Sequence, residues 1–125
     1  MGVYIPANSP YISTIKRRYI MKTFKVYQLK GSDNRDIRFE VSYGKDRKAT
    51  ATQAWTNERY SHVSNITGND LNDVFQIGNI GPESRIERLD RMASVSCGDI
   101  IVDENGKASL VSPFGFTTIL EKELV

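Results

Sequence analysis

The dipeptide Asn105-Gly106 lies between two runs rich in β-branched and aliphatic residues, and it constrains the fold more than any other feature of the sequence. A type I′ turn needs positive φ at both central residues, a conformation that Asn and Gly adopt most readily. The pattern therefore predicts a β-hairpin with strands over Asp99–Asp103 and Lys107–Ser112. In this hairpin Glu104 is expected to face Lys107 across the turn.

The register of the hairpin follows from the two-residue turn and places Ile101 opposite Leu110. Aliphatic residues occupy both faces of the paired strands away from the charged tip. We therefore expect the base of the hairpin to be covered on both sides.

The segment after the hairpin contains two residues that interrupt a regular ladder. Pro113 has no N–H to donate, and Gly115 accepts dihedral angles that other residues avoid. We expect the chain to bend here and to resume as a strand over Thr117–Leu120. Phe114 and Phe116 are predicted to point to one face, and the bend is predicted to return the ring of Phe116 to the core.

Hydrophobic periodicity indicates the remaining elements. Alternation of apolar and polar residues is typical of a half-buried strand, whereas apolar residues at i, i+3 and i+4 indicate a helix. Gly78 is expected to end one helix, and Pro82 is expected to open the next. The predicted strands are Thr23–Leu29, Ile37–Ser42 and Tyr60–Ile66, and the predicted helices are Ala49–Trp55, Leu71–Ile77 and Pro82–Met92.

Together these elements predict an α+β fold. The expected architecture is a small, mostly antiparallel sheet with a C-terminal Asn-Gly hairpin and two or three short helices packed on it. A chain of 125 residues is long enough to bury one hydrophobic core. We expect a single domain over residues 21–125.

The basic residues are unevenly distributed along the chain. The net charge is +2, but residues 1–22 hold Lys16, Arg17, Arg18 and Lys22 with no acidic residue, which leaves 13 basic against 15 acidic residues elsewhere. Residues 1–20 have no clear hydrophobic period, which is typical of a flexible extension. The domain itself lacks the positive surface that broad binding to phosphate backbones requires.

The composition is that of an ordinary globular protein, with 39% hydrophobic and 26% charged residues. No apolar run approaches the ~20 residues that a membrane-spanning helix needs, so no membrane association is expected. The single cysteine, Cys97, cannot form an internal disulfide, and no apolar signal segment opens the sequence. We expect a cytoplasmic location.

No arrangement of residues in the sequence requires an enzymatic activity. A nucleophile beside its base, a phosphate-binding glycine loop or a cluster of metal ligands would be the usual signal. Cys97 and His62 could form a catalytic pair, and Asp70 and Asp73 could bind a cation with a later aspartate. A small buried cysteine and carboxylates at a helix N-terminus explain these residues better. We expect no catalytic residue, no metal site and no cofactor.

Charged segments and one aromatic residue are the candidate contacts for macromolecular partners. A turn-rich segment precedes the second predicted strand, and three arginines recur at three-residue spacing on the last predicted helix, where interleaved acidic residues also fit a solvated, compensated face. The candidate partner-binding residues are Asp33, Asn34, Arg35, Arg85, Arg88, Arg91 and Phe114. The candidate nucleic-acid-binding residues are Lys16, Arg17, Arg18 and Lys22.

Several short motifs occur in a characteristic order. They are Val26-Tyr-Gln-Leu29, Arg35-Asp-Ile-Arg-Phe-Glu40, Tyr60-x-x-Val63, Leu71-x-Asp-Val-Phe75 with Asn79, Ser94-Val-Ser-Cys-Gly-Asp-Ile-Ile-Val102 and Ser112-Pro-Phe-Gly-Phe116. Over about residues 24–120 they resemble the YodL-like domain, a family of bacteria, phages and mobile elements that often occurs beside anti-restriction and anti-defence genes. The resemblance carries over no catalytic residue, so it implies a small accessory or inhibitory protein.

Two functions from different classes follow as hypotheses. The first is a non-enzymatic phage or mobile-element accessory protein that binds and inhibits a host protein, in a defence system or in the cell machinery. The alternative is a nucleic-acid-binding module that uses residues 11–22 as a basic arm. The sequence leaves the partner and the oligomeric state open.

Deletion of residues 1–20 is expected to change the thermal midpoint little, because no hydrophobic period ties these residues to the core. Thermal unfolding of the full chain and of the shortened chain measures the effect. A loss of more than about 2 kcal/mol would contradict the prediction, since that is a large part of the stability of a typical domain.

Overall fold

The computed structural model describes residues 21–121. Within this range the chain forms an antiparallel sheet of six strands and three α-helices, which confirms the predicted α+β fold. The strands are β1 (Lys22–Leu29), β2 (Tyr60–Gly68), β3 (Ile86–Arg88), β4 (Ile100–Val102), β5 (Ala108–Ser112) and β6 (Gly115–Leu120), and the helices are α1 (Arg35–Tyr43), α2 (Arg47–Thr56) and α3 (Leu71–Ile80). The predicted N-terminal extension, with Lys16, Arg17 and Arg18, lies outside the described residues.

The first strand of the described residues lies at the centre of the sheet. The strand order is β3-β2-β1-β4-β5-β6, so β1 pairs with β2 on one side and with β4 on the other. The connection from β3 to β4, residues 89–99, therefore passes across β2 and β1. Val95 of this connection is 1% exposed and belongs to the core on the same face as α3.

Helices cover both faces of the sheet, and each face has its own hydrophobic core. On the face of α3, the buried residues include Val26, Val63, Ile66, Val74, Ile77 and Ile101. On the opposite face, α1 and α2 pack through buried residues that include Leu29, Val41, Ala51, Ala54, Ile100 and Leu110. Aliphatic residues of β4 and β5 contribute to both cores, as expected for a hairpin whose base is covered on both sides.

The predicted hairpin exists, but its register differs from the prediction by one residue. Ile101 pairs with Ser109 and not with Leu110. The reason is the side chain of Asp103, whose Oδ1 accepts hydrogen bonds from the backbone N–H groups of Asn105 and Lys107, both at 2.9 Å. Asp103 and Lys107 thus close a three-residue loop in which Gly106 has positive φ. The expected contact of Glu104 with Lys107 across a two-residue turn was wrong.

The predicted strand Ile37–Ser42 was wrong, because this segment lies within helix α1. Ile37 and Val41 are four residues apart, so they fit a helical face as well as an alternating strand. In the helix these two side chains point toward the core, whereas Phe39 is left 62% exposed. The places beside β1 that a further strand would need are occupied by β2 and β4.

The predicted helix Pro82–Met92 was also wrong. Only a single 3-10 turn over Glu83–Arg85 forms, and Ile86 then pairs with Ile66 of β2 and packs on the core. Leu89, the other apolar residue of the predicted helical face, is 49% exposed. Burial of Ile86 in the sheet therefore outweighs the local helical pattern.

Helix α3 extends past Gly78, which was predicted to end it, and stops at Ile80 before Gly81. The N–H of Gly81 donates to Ile77 O at 2.8 Å, and Gly81 has a φ of 102°. Gly78 serves a different purpose: a Cβ at this position would clash with Cγ2 of Val95. The glycine allows residues 89–99 to lie close against the helix.

The bend after the hairpin forms as predicted, but the two phenylalanines separate. Phe114 lies in the turn and is fully exposed, whereas Phe116 is partly buried against the core on the face of α3. Gly115 has a φ of 135°, and nothing lies within 4 Å of where its Cβ would be. Gly115 is therefore required for its backbone conformation and not for a close approach.

Substitution Gly78→Ala is expected to destabilise the domain by about 1–3 kcal/mol, because the added methyl group overpacks against Val95. The opposite sign, a gain of up to about 1 kcal/mol, is expected for the same change in an unconstrained helix interior. Chemical denaturation measures the difference. In the background of Val95→Ala the cost of Gly78→Ala should shrink, and a Gly78→Ala variant at least as stable as the parent would contradict the packing argument.

Candidate functional site

A network of buried polar groups holds the connection between β3 and β4 against the centre of the sheet. The amide of Gln28, on β1, donates through Nε2 to Ala93 O at 2.9 Å and accepts through Oε1 from Ala93 N at 3.1 Å. Gln28 Nε2 also donates to Asp99 Oδ2 at 3.0 Å, and the N–H of Ser96 donates to the same oxygen at 3.0 Å. Tyr60 donates its hydroxyl to Gly98 O at 2.7 Å.

Burial dominates the electrostatics of this network. Asp99 is 9% exposed, and desolvation raises the pKa of its carboxyl to about 7, although the hydrogen bonds from Ser96 and Gln28 act in the opposite direction. Burial also raises the pKa of the Tyr60 hydroxyl, with a smaller contribution from the Asp99 carboxylate. No cationic side chain is among the causes that set the pKa of Asp99.

The cavity beside this network is too small for a typical ligand site. It holds about 120 Å³ and is lined by Arg38, Ser42, Cys97 and Asp99 among others. Ligand sites usually enclose about 300–1,000 Å³. The network is therefore best described as the fastening of residues 93–99, since it holds Ala93 at one end of this stretch and Gly98 and Asp99 at the other.

The pairings that could have carried catalysis are not formed. His62 Nε2 lies 2.8 Å from Asn65 Oδ1, and its ring stacks on Tyr27 at 4.9 Å between centroids. Cys97 contacts α1 instead, where its carbonyl oxygen accepts a hydrogen bond from Ser42 Oγ at 3.0 Å. His62 and Cys97 thus contact different residues and are not paired with each other.

The aspartates considered for a cation are used within the fold. Asp70 caps α3, since its Oδ1 accepts from Asp73 N at 2.8 Å. Asp73 Oδ2 accepts from Asn69 N at 2.8 Å and lies 4.0 Å from Arg85 Nη1. Over residues 21–121, no group of three or more His, Cys, Asp or Glu residues is arranged to hold a metal ion.

The candidate partner-binding residues around α1 have different environments. Asn34 is 7% exposed, and its Nδ2 donates to Lys30 O at 2.6 Å, so it holds the turn before the helix and cannot reach a partner. Asp33 and Arg35 are exposed on either side of it. Only these two of the three residues can contribute to a surface.

The three arginines do not form the helical stripe that their three-residue spacing suggested as one possibility, because their segment is not a helix. Arg85 lies 4.0 Å from Asp73, and Arg88 makes a bidentate hydrogen bond with Glu83 that lowers the pKa of this carboxyl. Arg91 is exposed in the connection that follows. Nearby carboxylates thus compensate the charges of Arg85 and Arg88, as in the interpretation of this segment as a solvated face with interleaved acidic residues.

A surface of which the sequence indicated only Arg35 lies on the outer side of α1. We call Arg35, Phe39 and Tyr43 the α1 stripe, since they recur every four residues along one side of the helix. Phe39 is 62% and Tyr43 74% exposed, and their ring centroids are 5.3 Å apart. The four-residue spacing of Ile37 and Val41 was the signal for this helix. It was masked because Ile37, Phe39 and Val41 also alternate with polar residues, as in a strand.

A second surface combines cations with an exposed ring. We call it the basic cleft: a space of about 340 Å³ that is lined by Lys45, Arg47, Lys48 and Phe114. It lies between the turn before β6 and the segment that joins α1 to the first turn of α2. Within residues 21–121 none of the three cations has a carboxylate within 4.0 Å. The cleft is therefore suited to an anionic group beside an apolar one.

Comparison of the chain with protein-family models, with curated proteins and with solved structures finds no match. Among the helices of residues 21–121, none is long and apolar enough to cross a membrane.

Substitution Asp99→Asn is expected to flatten the pH dependence of stability between pH 5 and pH 8. Because the folded-state pKa of Asp99 is raised, the folded state binds the proton more tightly, and the free energy of unfolding should fall as pH rises toward and through about 7. Between pH 5 and pH 8 the fall is expected to be at most about 3 kcal/mol. Denaturant unfolding of both proteins across this pH range measures it.

The matched control for this experiment is Asp36→Asn, since the side chain of Asp36 is 99% exposed. This variant should keep the pH dependence of the parent. A parent protein whose stability rises from pH 5 to pH 8 would contradict the assignment.

Proposed function

We propose that this domain is a non-enzymatic protein-binding module that inhibits a host protein. The observation that carries the proposal is the α1 stripe, in which two adjacent aromatic rings face solvent on a helix whose apolar side is already buried. These rings contribute little to the fold. Their burial in a complex would remove apolar surface from water, which favours association.

The residue types of the stripe are those that contribute most to protein interfaces. Tyr and Arg are enriched among interface residues whose truncation costs more than about 2 kcal/mol, and aromatic rings lose little conformational entropy on binding. Arg35 stands one helical turn before Phe39 and is 80% exposed. Arg35 can therefore make a directional contact with a partner beside the apolar contact of the two rings.

The charges around the stripe favour a protein over a nucleic acid. Asp33, Asp36 and Glu40 are exposed on the same helix or just before it. These carboxylates would repel a phosphate backbone, whose neutralisation dominates the affinity of nucleic-acid-binding proteins. A protein surface with a hydrophobic pocket and a mixed-charge rim matches this side of α1 better.

A host target is proposed because of the sequence motifs that resemble the YodL-like domain. They support a phage or mobile-element protein with a host target in a defence system or in the cell machinery. The alternative nucleic-acid function depends on Lys16, Arg17 and Arg18, outside the described residues, and on Lys22, which is exposed at the start of β1.

The double substitution Phe39→Ala with Tyr43→Ala is expected to abolish capture of the partner without lowering stability by more than about 1 kcal/mol, because both rings are exposed. Affinity purification from bacterial lysate with the tagged full chain, followed by mass spectrometry, measures capture. Ile80→Ala is the matched control, since Ile80 is 80% exposed but lies on α3, across the sheet.

Capture that survives the double substitution, or that is lost equally in Ile80→Ala, would refute a role for the α1 stripe. Binding of short single-stranded and duplex DNA at two salt concentrations, with and without residues 1–20, tests the alternative. Salt-sensitive binding that disappears with residues 1–20 would favour the nucleic-acid function.

A further inference from the structure

The basic cleft brings three cations and an exposed aromatic ring around one space of about 340 Å³. This volume lies within the range of about 300–1,000 Å³ that small-ligand sites usually have. A Cβ built on Gly115, which lines the cleft, would meet no atom within 4 Å, so the space is open beside the turn. A small ligand can therefore enter without displacing this part of the backbone.

The cations of the cleft are available to an anion. Lys45 and Lys48 are exposed, and the half-buried Arg47 is restrained through its Nη1, which donates to Gly44 O at 3.3 Å. Within residues 21–121 no carboxylate, including that of the neighbouring Asp46, lies within 4.0 Å of the three cations. A phosphate group carries about −1.5 to −2 at neutral pH and offers three acceptor oxygens, so it compensates these charges better than one carboxylate does.

Phe114 provides a flat apolar surface at the same cleft. Its side chain is fully exposed, and none of the aromatic contacts of residues 21–121 involves it. A nucleobase of any sequence can stack on such a ring, because every base has a π-face. Stacking would also remove the ring from water.

Two hydroxyl groups line the cleft together with the cations and the ring. Ser112 on β5 and Thr117 on β6 place Oγ and Oγ1 2.9 Å apart. A hydroxyl group has one donor and two acceptor positions, so the pair retains capacity for a further hydrogen bond. This capacity suits the hydroxyl groups of a sugar.

The geometry points to a nucleoside phosphate as the ligand of the basic cleft. Its phosphate groups would contact Lys45, Arg47 and Lys48, and its base would stack on Phe114, while the two hydroxyl groups face the sugar. The basic cleft shares no residue with the α1 stripe. Nucleotide binding is therefore independent of the proposed function and can fail or succeed without it.

The distribution of charge favours a free nucleotide over a nucleic acid. Outside residues 1–22 the chain has 13 basic and 15 acidic residues, so the positive charge of the domain is local to the cleft. A polynucleotide requires a groove of cations that follows its backbone. An acidic peptide distributes its carboxylates along an extended chain, whereas three cations around one space match the concentrated charge of a phosphate group.

Isothermal titration calorimetry of the full chain with ADP, in a buffer without divalent cations, tests the inference. Adenosine and inorganic pyrophosphate are the two partial ligands. ADP should bind about tenfold or more tightly than either, because it alone can occupy the cations and the ring together.

Two sets of variants separate the contributions to binding. Lys45→Ala with Lys48→Ala should weaken ADP binding about tenfold or more. Lys25→Ala with Lys107→Ala is the matched control: it removes the same charge from β1 and from the far end of β5, and it should leave ADP binding unchanged. Phe114→Leu keeps an apolar side chain but removes the stacking surface, so it should weaken ADP by about fivefold or more and leave pyrophosphate unaffected.

Thermal unfolding of each variant keeps the comparison valid, since the substituted side chains of the cleft are exposed and their loss should not unfold the domain. Absence of ADP binding up to millimolar concentration would overturn the inference. So would ADP that binds no more tightly than pyrophosphate, or equal losses in the cleft variants and the control. Tighter binding of the acidic peptide Glu-Glu-Tyr-Glu, or of a ten-nucleotide single-stranded DNA, than of ADP would also overturn it and assign the cleft to that class of partner.

Discussion

The pairing of the Gln28 amide with the backbone of Ala93 is the interaction on which the rest of the architecture depends. Residues 89–99 must cross two strands to connect one edge of the sheet with its other half, and they contain no regular element that could satisfy their backbone groups. Gln28 supplies both a donor and an acceptor to one residue of this crossing segment, as a neighbouring strand would. That contact, together with the hydrogen bond from Asn79 Nδ2 to Val95 O at 2.8 Å, helps to hold Val95 in the core against Gly78.

Elements with a strong local signal could be predicted from the sequence. Asp70 and the spacing of Leu71 and Val74 indicated α3, and the turn-forming residues around Asn105-Gly106 located the hairpin. The exact pairing in that hairpin could not be predicted, because it depends on two hydrogen bonds that the side chain of Asp103 makes to the backbone. The hydrogen bonds of Asp103 thus override the preference of Asn105-Gly106 for a two-residue turn.

Elements decided by distant contacts could not be predicted. The Ile37 and Val41 pair fits both a strand and a helix, and only the occupied edges of β1 exclude the strand. Ile86 likewise becomes part of β3 because Ile66 is available beside it. The main candidate surface was missed for the same reason, since Phe39 and Tyr43 share a side only once the segment is helical.

The two candidate surfaces follow one another along the chain from α1 into α2. The inward residues of α1 close the core over one face of the sheet, so its outward residues face solvent. Lys45 in the loop that follows, and Arg47 and Lys48 in the first turn of α2, lie beside the turn before β6. Substitutions of Phe39 and Tyr43 can therefore alter the aromatic surface while the buried Val41 keeps the helix in place.

The central position of β1 determines the order in which the sheet can assemble during synthesis. Of the described strands it emerges first, but its partners β2 and β4 follow only at residues 60 and 100. β1, β2 and β3 can associate before the remaining strands exist, whereas β4, β5 and β6 form a meander with short, local connections. Within the sheet the two halves join through three residue pairs between β1 and β4, which must close a long loop. Completion of the fold is therefore a late, non-local step, and the first half waits on the ribosome with one side of its central strand uncovered.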